Sequence, residues 1–426
     1  TPAVAHKTGP ETSPQNSFSK TTAVFKNSVH LPRKFRGKIF TMGTLSLSAT
    51  KYYRISVSAF FFIQGLVFSS WASRIPDIKD ALHLNEAVLG SVLFALPVGQ
   101  LSAMALSGYL VSRYGSKLVL TVAALLYPAA LVGLGAASSI GQLTLGLFLF
   151  GITANLCNIA VNTQGVGVER LYNRSIMASF HGLWSLAGFC GGLVSTLMVG
   201  YDIPPLMHFC IIYAVTFAVL VTMRGSMLPR DAKPVDEKKT KKVFVRPDRY
   251  ILLLGLIAFG SMACEGTMFD WSGVYFETVI RPPKELIRLG YIAFMCTMAC
   301  GRFTADRLVT RFGAIRVIRA SGIVIATGLL LSVLFPHLTT ATLGFLLVGF
   351  GTSSVVPLCY SLAGRSKTML PGVALATVST IGFFGFLLGP PVIGFIAHAL
   401  NLRWSFALIA LIGLTTTVAA PMLRQK

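Results

Sequence analysis

From Tyr52 to Met422 the chain runs as a succession of apolar stretches broken by short polar ones. Each stretch is close to the ~20 residues that a helix needs to cross ~30 Å of hydrocarbon. The pattern predicts spans near 52–73, 86–111, 118–137, 141–166, 176–200, 205–224, 249–276, 286–307, 316–335, 338–363, 372–398 and 402–423. The expected architecture is therefore all-α and integral to a membrane, with about twelve transmembrane helices.

Two segments depart from this rhythm. Residues 1–50 are rich in Ser, Thr, Pro and Lys, hold a single acid, Glu11, and show no apolar period, which predicts disorder. The chain begins with Thr1, and Met42 lies just before the first span, so the segment reads as a translation artefact or a processed targeting stretch. Residues 225–248, with Lys233, Lys238, Lys239, Lys241 and Lys242, read as a linker between an N-terminal half, 51–224, and a C-terminal half, 249–426.

Composition agrees with a lipid solvent, since 426 residues that are 54% hydrophobic and 12% charged cannot wet a soluble surface. The +22 net charge reports topology. Thirty-one Lys and Arg fall on the side that carries both termini and the central linker, against six on the other, so the positive-inside bias predicts cytoplasmic termini. These charges are divided among short loops and form no patch for nucleic acid. The seven cysteines lie inside apolar stretches without ligand spacing, and neither a metal nor another cofactor is expected.

An internal repeat organises the spans. Leu110–Ser116 (LVSRYGS) matches Leu308–Ala314 (LVTRFGA) at an offset of 198, and the same offset pairs Leu145–Gly151 with Leu343–Gly349. Gln64-Gly-Leu-Val-Phe-Ser69 corresponds to Glu265-Gly-Thr-Met-Phe-Asp270, followed by Trp71 and Trp271. Spans 1 and 7 are thus equivalent helices of two pseudo-symmetric six-helix halves.

The hairpin Gly108-Tyr-Leu-Val-Ser-Arg113-Tyr-Gly115-Ser-Lys117 resembles the loop 2–3 signature of the major facilitator superfamily, and the resemblance covers the chain from about residue 50. Trp71-Ala-Ser-Arg74-Ile-Pro76, Asn162-Thr-Gln and Glu265 with Asp270-Trp271 resemble a branch of bacterial inner-membrane proteins related to the rhizopine-locus Mos transporters and, more distantly, to fucose permeases. Ser112 stands where the family usually has an acid, and Asp306-Arg307 before Arg311-Phe-Gly313 is a candidate source of the missing carboxylate. The resemblance implies that Gly108, Arg113, Gly115, Lys117, Glu169, Asp306, Arg307, Arg311 and Gly313 serve as cytoplasmic latches. The competing reading is that they only enforce topology and tight turns.

Chemistry is sought where polarity is costly, since an ionisable group at mid-membrane costs at least ~2.5 kcal/mol on insertion scales. Glu265, sixteen residues after Arg249, is placed roughly 24 Å along span 7 and beyond the midplane. It is the first candidate for proton coupling or solute binding, against a buried neutral carboxyl. Asp270 is rotated by roughly 140° from it and is expected at the outer rim or against a neighbouring helix. Asn155, Asn158 and Asn162 share a face of span 4, and either pair with another helix or face solute. Their counterparts on span 10 include Ser353 and Tyr360. Gln64, Phe68 and Trp71 share a face of span 1, which suits sugars, cyclitols or amines, or simply packs. His181 and Trp184 lie one turn apart on span 5, where a helix-contact role for the histidine outweighs titration.

No Lys or Arg is expected deep in any span, the nearest being Arg302, two turns inside span 8. That favours a neutral polyhydroxylated solute or an amine over an organic anion. No nucleotide-binding loop and no catalytic constellation is present, so an enzyme is not expected and the driving energy is expected from a gradient, with protons as the coupling ion. The expected function is secondary active transport of a small polar solute by alternating access across a bacterial inner membrane. A multidrug or metabolite exporter of the same fold, and a sensor that binds without transporting, remain alternatives. The sequence leaves oligomeric state open, and a monomer is compatible with it.

Overall fold

The computed structural model describes residues 47–172, 176–229, 231, 247–366, 368–369 and 371–423. The readings made for 1–46, and for the linker over 232–246, lie outside the described residues. Among the described residues, twelve helical spans are long and apolar enough to cross a bilayer. The first joins α1 (Leu47–Ala72) to α2 (Ile75–Ala81), and the second joins α3 (Glu86–Leu93) to α4 (Ala95–Tyr114). Then follow α5 (Ser116–Gly135), α6 (Ile140–Tyr172), α7 (Met177–Gly200) and α8 (Pro205–Met223). The second half holds α9 (Arg249–Tyr275), α10 (Leu289–Phe312), α11 (Ala314–Leu334), α12 (Leu338–Ala363), α13 (Pro371–Ala399) and α14 (Leu402–Ala419).

Local chemistry sets several boundaries. The Asn85 side chain accepts from the Val88 amide at the start of α3, and Asp248 does the same for Ile251 at α9. Pro76 lies in the first turn of α2, where its missing N–H costs nothing. The duplicated hairpins turn on Gly115 and Gly313, whose φ values of 84° and 82° nearly coincide. Only glycine adopts that backbone without strain, so the repeated RYG and RFG are repeated geometry.

Spans 1 and 7 are the most enclosed, with 78% and 67% of their apolar cores inside protein, against 28% for the sixth span. The halves meet along two helix pairs, α7 with α10 and α3 with α13, and the internal repeat exchanges one pair for the other. In the second pair Gly90 faces Gly394, and a Cβ on Gly90 would fall 2.6 Å from the Pro390 carbonyl oxygen. Small residues there let two backbones touch, the usual device where no hydrophobic effect drives helices together in lipid.

Candidate functional site

Glu265 sits at the middle of the Arg249–Ile280 helical span. The helix continues past Tyr275 through a π-helical turn, Phe276–Ile280, which lengthens it on the far side. The Glu265 carboxylate meets the Arg302 guanidinium of α10 at 3.2 Å, with both side chains mostly buried. Arg302 also donates to the Ser185 hydroxyl of α7 at 2.5 Å and lies 5.7 Å from the Trp184 ring. A cation therefore does reach the depth of the candidate carboxylate, correcting the expectation from spacing. The long reach of arginine on a neighbouring helix is invisible to residue counting along one span.

An aromatic cluster from both halves adjoins this pair. The Phe68 ring lies 5.8 Å from Trp184 and 5.1 Å from Phe269, and Phe269 lies 6.2 Å from Phe386. Edge-to-face packing of this kind favours a specific arrangement beyond mere burial. His181, one turn before Ser185, sets its ring edge against Phe61 at 5.3 Å, as a helix-contact residue would.

The remaining polar candidates divide. The Gln64 Oε1, Trp71 Nε1 and Asn155 Oδ1 atoms are buried without a protein hydrogen-bond partner. Asn162 turns back along its own helix and donates to the Asn158 carbonyl at 2.8 Å. The Tyr360 hydroxyl donates to Ser379 of α13 at 3.2 Å, a contact between helices of one half. Glu169 accepts from the backbone amides of Ile176 and Met177 at 2.7 and 2.8 Å, capping the start of α7. Asp270 is only 6% exposed.

At the Arg113 end, the latch candidates are not joined to one another by any described ion pair. Arg113 donates to the Tyr109 hydroxyl at 2.8 Å, and Arg311 stacks on Phe312 at 5.4 Å. Gly108 has open space around it, so no contact explains a glycine there. A carboxylate that the sequence reading passed over reaches this turn. Asp231 accepts from the Ser116 amide at 2.7 Å and from the Ser116 hydroxyl, and Gln164 donates to that same hydroxyl at 2.7 Å. Gln164 also pairs with both backbone groups of Leu228, which brings the segment after α8 onto the turn. Asp231→Ala is expected to cost about 1 kcal/mol, as the loss of a helix-capping acceptor does. Thermal unfolding in detergent reads it, with Asp231→Asn, which keeps a capping acceptor, expected to show only part of the loss.

The described ion pairs between the halves all lie at the opposite, Arg74 end. Asp77 receives Arg74 Nη1 at 3.2 Å and, from the other half, Arg288 Nη2. Arg74 also donates to His208 Nδ1 at 3.3 Å and to the Ile203 carbonyl at 2.7 Å. Lys79 lies 3.9 Å from Glu277, and Lys284 lies 3.1 Å from Asp202. Sequence reading noted Arg74 only as part of a motif, because its bridging partner is 211 residues away from Asp77.

Twelve spans in two repeated halves around a mid-span polar pair are the plan of a membrane transporter. The family model for the Major Facilitator Superfamily matches residues 57–369 and 283–426, and the chain belongs to that superfamily. It is 34% identical over 374 residues to the uncharacterized transporter y4wD of Sinorhizobium fredii, covering 87% of this chain and 97% of the relative. It is 29% identical over 393 residues to the membrane protein MosC of Rhizobium meliloti, covering 92% and 95%. A solved D-xylose–proton symporter superposes with a TM-score of 0.67 at 14% identity, covering 88% and 98%, which is a likeness of fold. The protein is a multi-pass secondary transporter of a small solute across a lipid bilayer, and not an enzyme.

Proposed function

We propose that the protein moves a small polar solute, a sugar, cyclitol or amine-bearing relative of these, by proton-coupled alternating access. The observation that carries this reading is the Glu265–Arg302–Ser185 cluster, set at mid-span beside aromatic rings from both halves. A paired carboxylate and guanidinium offer acceptors and donors to hydroxyl and amine groups, and nearby rings suit the apolar face of a cyclic solute. The pair carries no net charge. That reduces the pull on a permanent hydrophobic cation, which argues against a multidrug exporter and extends the candidate solutes to zwitterions.

Ion pairs join the halves at the Arg74 end, and the charge bias of the loops supports placing that end outside a bacterial inner membrane. Both termini are then cytoplasmic and the solute pair communicates inward. Gly108, Arg113, Gly115, Lys117, Glu169, Asp306, Arg307, Arg311 and Gly313 are proposed to form the closing contacts of the opposite state. Gln64, Trp71 and Asn155, with their unmatched buried polar atoms, are proposed as further solute contacts, and Asn158, Asn162 and Tyr360 as support for them.

Purified protein in proteoliposomes, challenged with xylose, myo-inositol, glucosamine and a hydrophobic cation, tests the reading through counterflow and internal pH. Accumulation of a polar solute with proton movement, at least tenfold weaker in Glu265→Gln, is expected. Transport of the hydrophobic cation with none of the polar solutes would replace this reading with the exporter.

A further inference from the structure

Asp270 has no ion pair or side-chain hydrogen bond among the described residues, although it is 94% buried. Glu265, by contrast, lies against its own cation. A carboxylate held in a low-dielectric interior without a partner is strongly disfavoured, and the group escapes by taking a proton. The two acids are five residues apart on α9, about 7.5 Å along its axis. Phe269, in the aromatic cluster with Phe68 and Trp184, lies immediately before Asp270.

The surroundings of Asp270 are the surfaces that part when the Arg74 end opens. One turn beyond it, Gly273 abuts Pro76 of the other half, where a Cβ would come within 2.9 Å. Tyr291 of α10 packs against Gly192 of α7. Of the elements packed against α9, α10 brings Tyr291 and Arg302, with Arg288 just before its start, the π turn that continues α9 brings Glu277, α1 and α2 with the turn between them bring Arg74, Asp77, Lys79 and Asp80, α12 brings Tyr360, α13 brings His398 and α14 brings Arg403. None of these is hydrogen-bonded or ion-paired to Asp270 among the described residues, and Arg74 and Arg288 are committed to Asp77.

Resting on the transport reading above, we propose that Asp270 is the proton-carrying carboxyl of this transporter, ionised when opening of the Arg74 end admits water to it and neutral once that end is shut without solute. Glu265 then stays charged against Arg302 and serves the solute. Closing the Arg74 end requires Asp270 to take up a proton from that side; in the transport cycle this proton leaves toward the Arg113 end while the Arg74 end is still shut, so Asp270 reopens ionised and one proton crosses per turnover.

The sign of the coupling follows. If the closed state holds one more proton than the open state, raising pH favours opening, by up to about tenfold in the open-to-closed ratio per pH unit. Spin labels on His83→Cys and Glu285→Cys, with Cys210 and Cys300 replaced by Ser, read that ratio as a distance in reconstituted protein without solute. The expected result is a longer-distance population that grows with pH in the parent and in Glu265→Gln, and a pH-independent closed population in Asp270→Asn. An unchanged pH response in Asp270→Asn, or its loss in Glu265→Gln alone, overturns the proposal.

Should Asp270→Asn fail to fold, the parent protein still decides. A hydrophobic carbodiimide adds the O–H of a protonated carboxyl across its C=N bond, so peptide mapping should find the adduct on Asp270, and an adduct on Glu265 alone would overturn the assignment. If pH-gated opening depends on Asp270 but no polar solute is transported, the solute reading fails and this one stands. If proton-coupled transport persists in Asp270→Asn, the reverse holds.

Discussion

Asp77→Asn should open the Arg74 end. The substitution leaves Arg74 and Arg288, each only 2% exposed, facing one another without the carboxylate that joins them. Two buried cations deprived of their anion are costly, and breaking a buried pair from one side typically costs about 3–5 kcal/mol. That penalty falls on the closed arrangement, because opening returns both guanidinium groups to water. Since each 1.4 kcal/mol is roughly a factor of ten, even a third of the penalty would shift the open-to-closed ratio about tenfold. The pair of labels at residues 83 and 285 reads the shift directly. Lys284→Ala serves as the contrast, because its pair with Asp202 joins side chains that are 61% and 84% exposed, where an ion pair is worth about 0–1 kcal/mol. Equal behaviour of the two variants would show that the buried network does not hold this end shut.

The second large effect belongs to Arg302. Arg302→Gln should destabilise the protein by about 3–5 kcal/mol, because it leaves Glu265 at mid-span with no cation. Protonation is the carboxyl's escape, so the loss in thermal stability should grow as pH rises. The double variant Glu265→Gln/Arg302→Gln replaces the ion pair with two amides that can hydrogen-bond each other, and should recover much of the stability while remaining inactive. Unfolding temperatures across the four-member cycle measure the coupling. Additive losses would mean that the two side chains act independently, contrary to their 3.2 Å contact.

The sequence carried the architecture further than it carried the site. Apolar segments of bilayer length and two matching turns at Gly115 and Gly313 are local properties, and both reappear in the structure. Glu265 was legible because a carboxyl in an apolar run is conspicuous whatever surrounds it. Its partner was not, since Arg302 looks like a residue near the end of its own span until the packing of α10 against α7 and α9 sets its height. The Asp77–Arg288 bridge and the Asp231 cap were hidden for the same reason, as each joins residues more than a hundred positions apart. Periodicity fixes what a helix buries, whereas pairing between helices depends on relative rotation and depth that no single segment encodes.

The Asp231 cap also changes the mechanics of the connection between the halves. With Asp231 held on the α5 turn, and Asp248 both capping α9 and accepting from Thr368 at 2.5 Å, the leash is pinned on each side close to a helix end. The seventeen steps between those two anchors give a contour of at most about 60 Å, shorter than the whole stretch after α8 would allow. A leash of fixed reach sets a high effective concentration of one half for the other, so the two can separate at one mouth without drifting apart. In the proposed alternating access, the reach between the halves is then set by two carboxylates, Asp231 and Asp248.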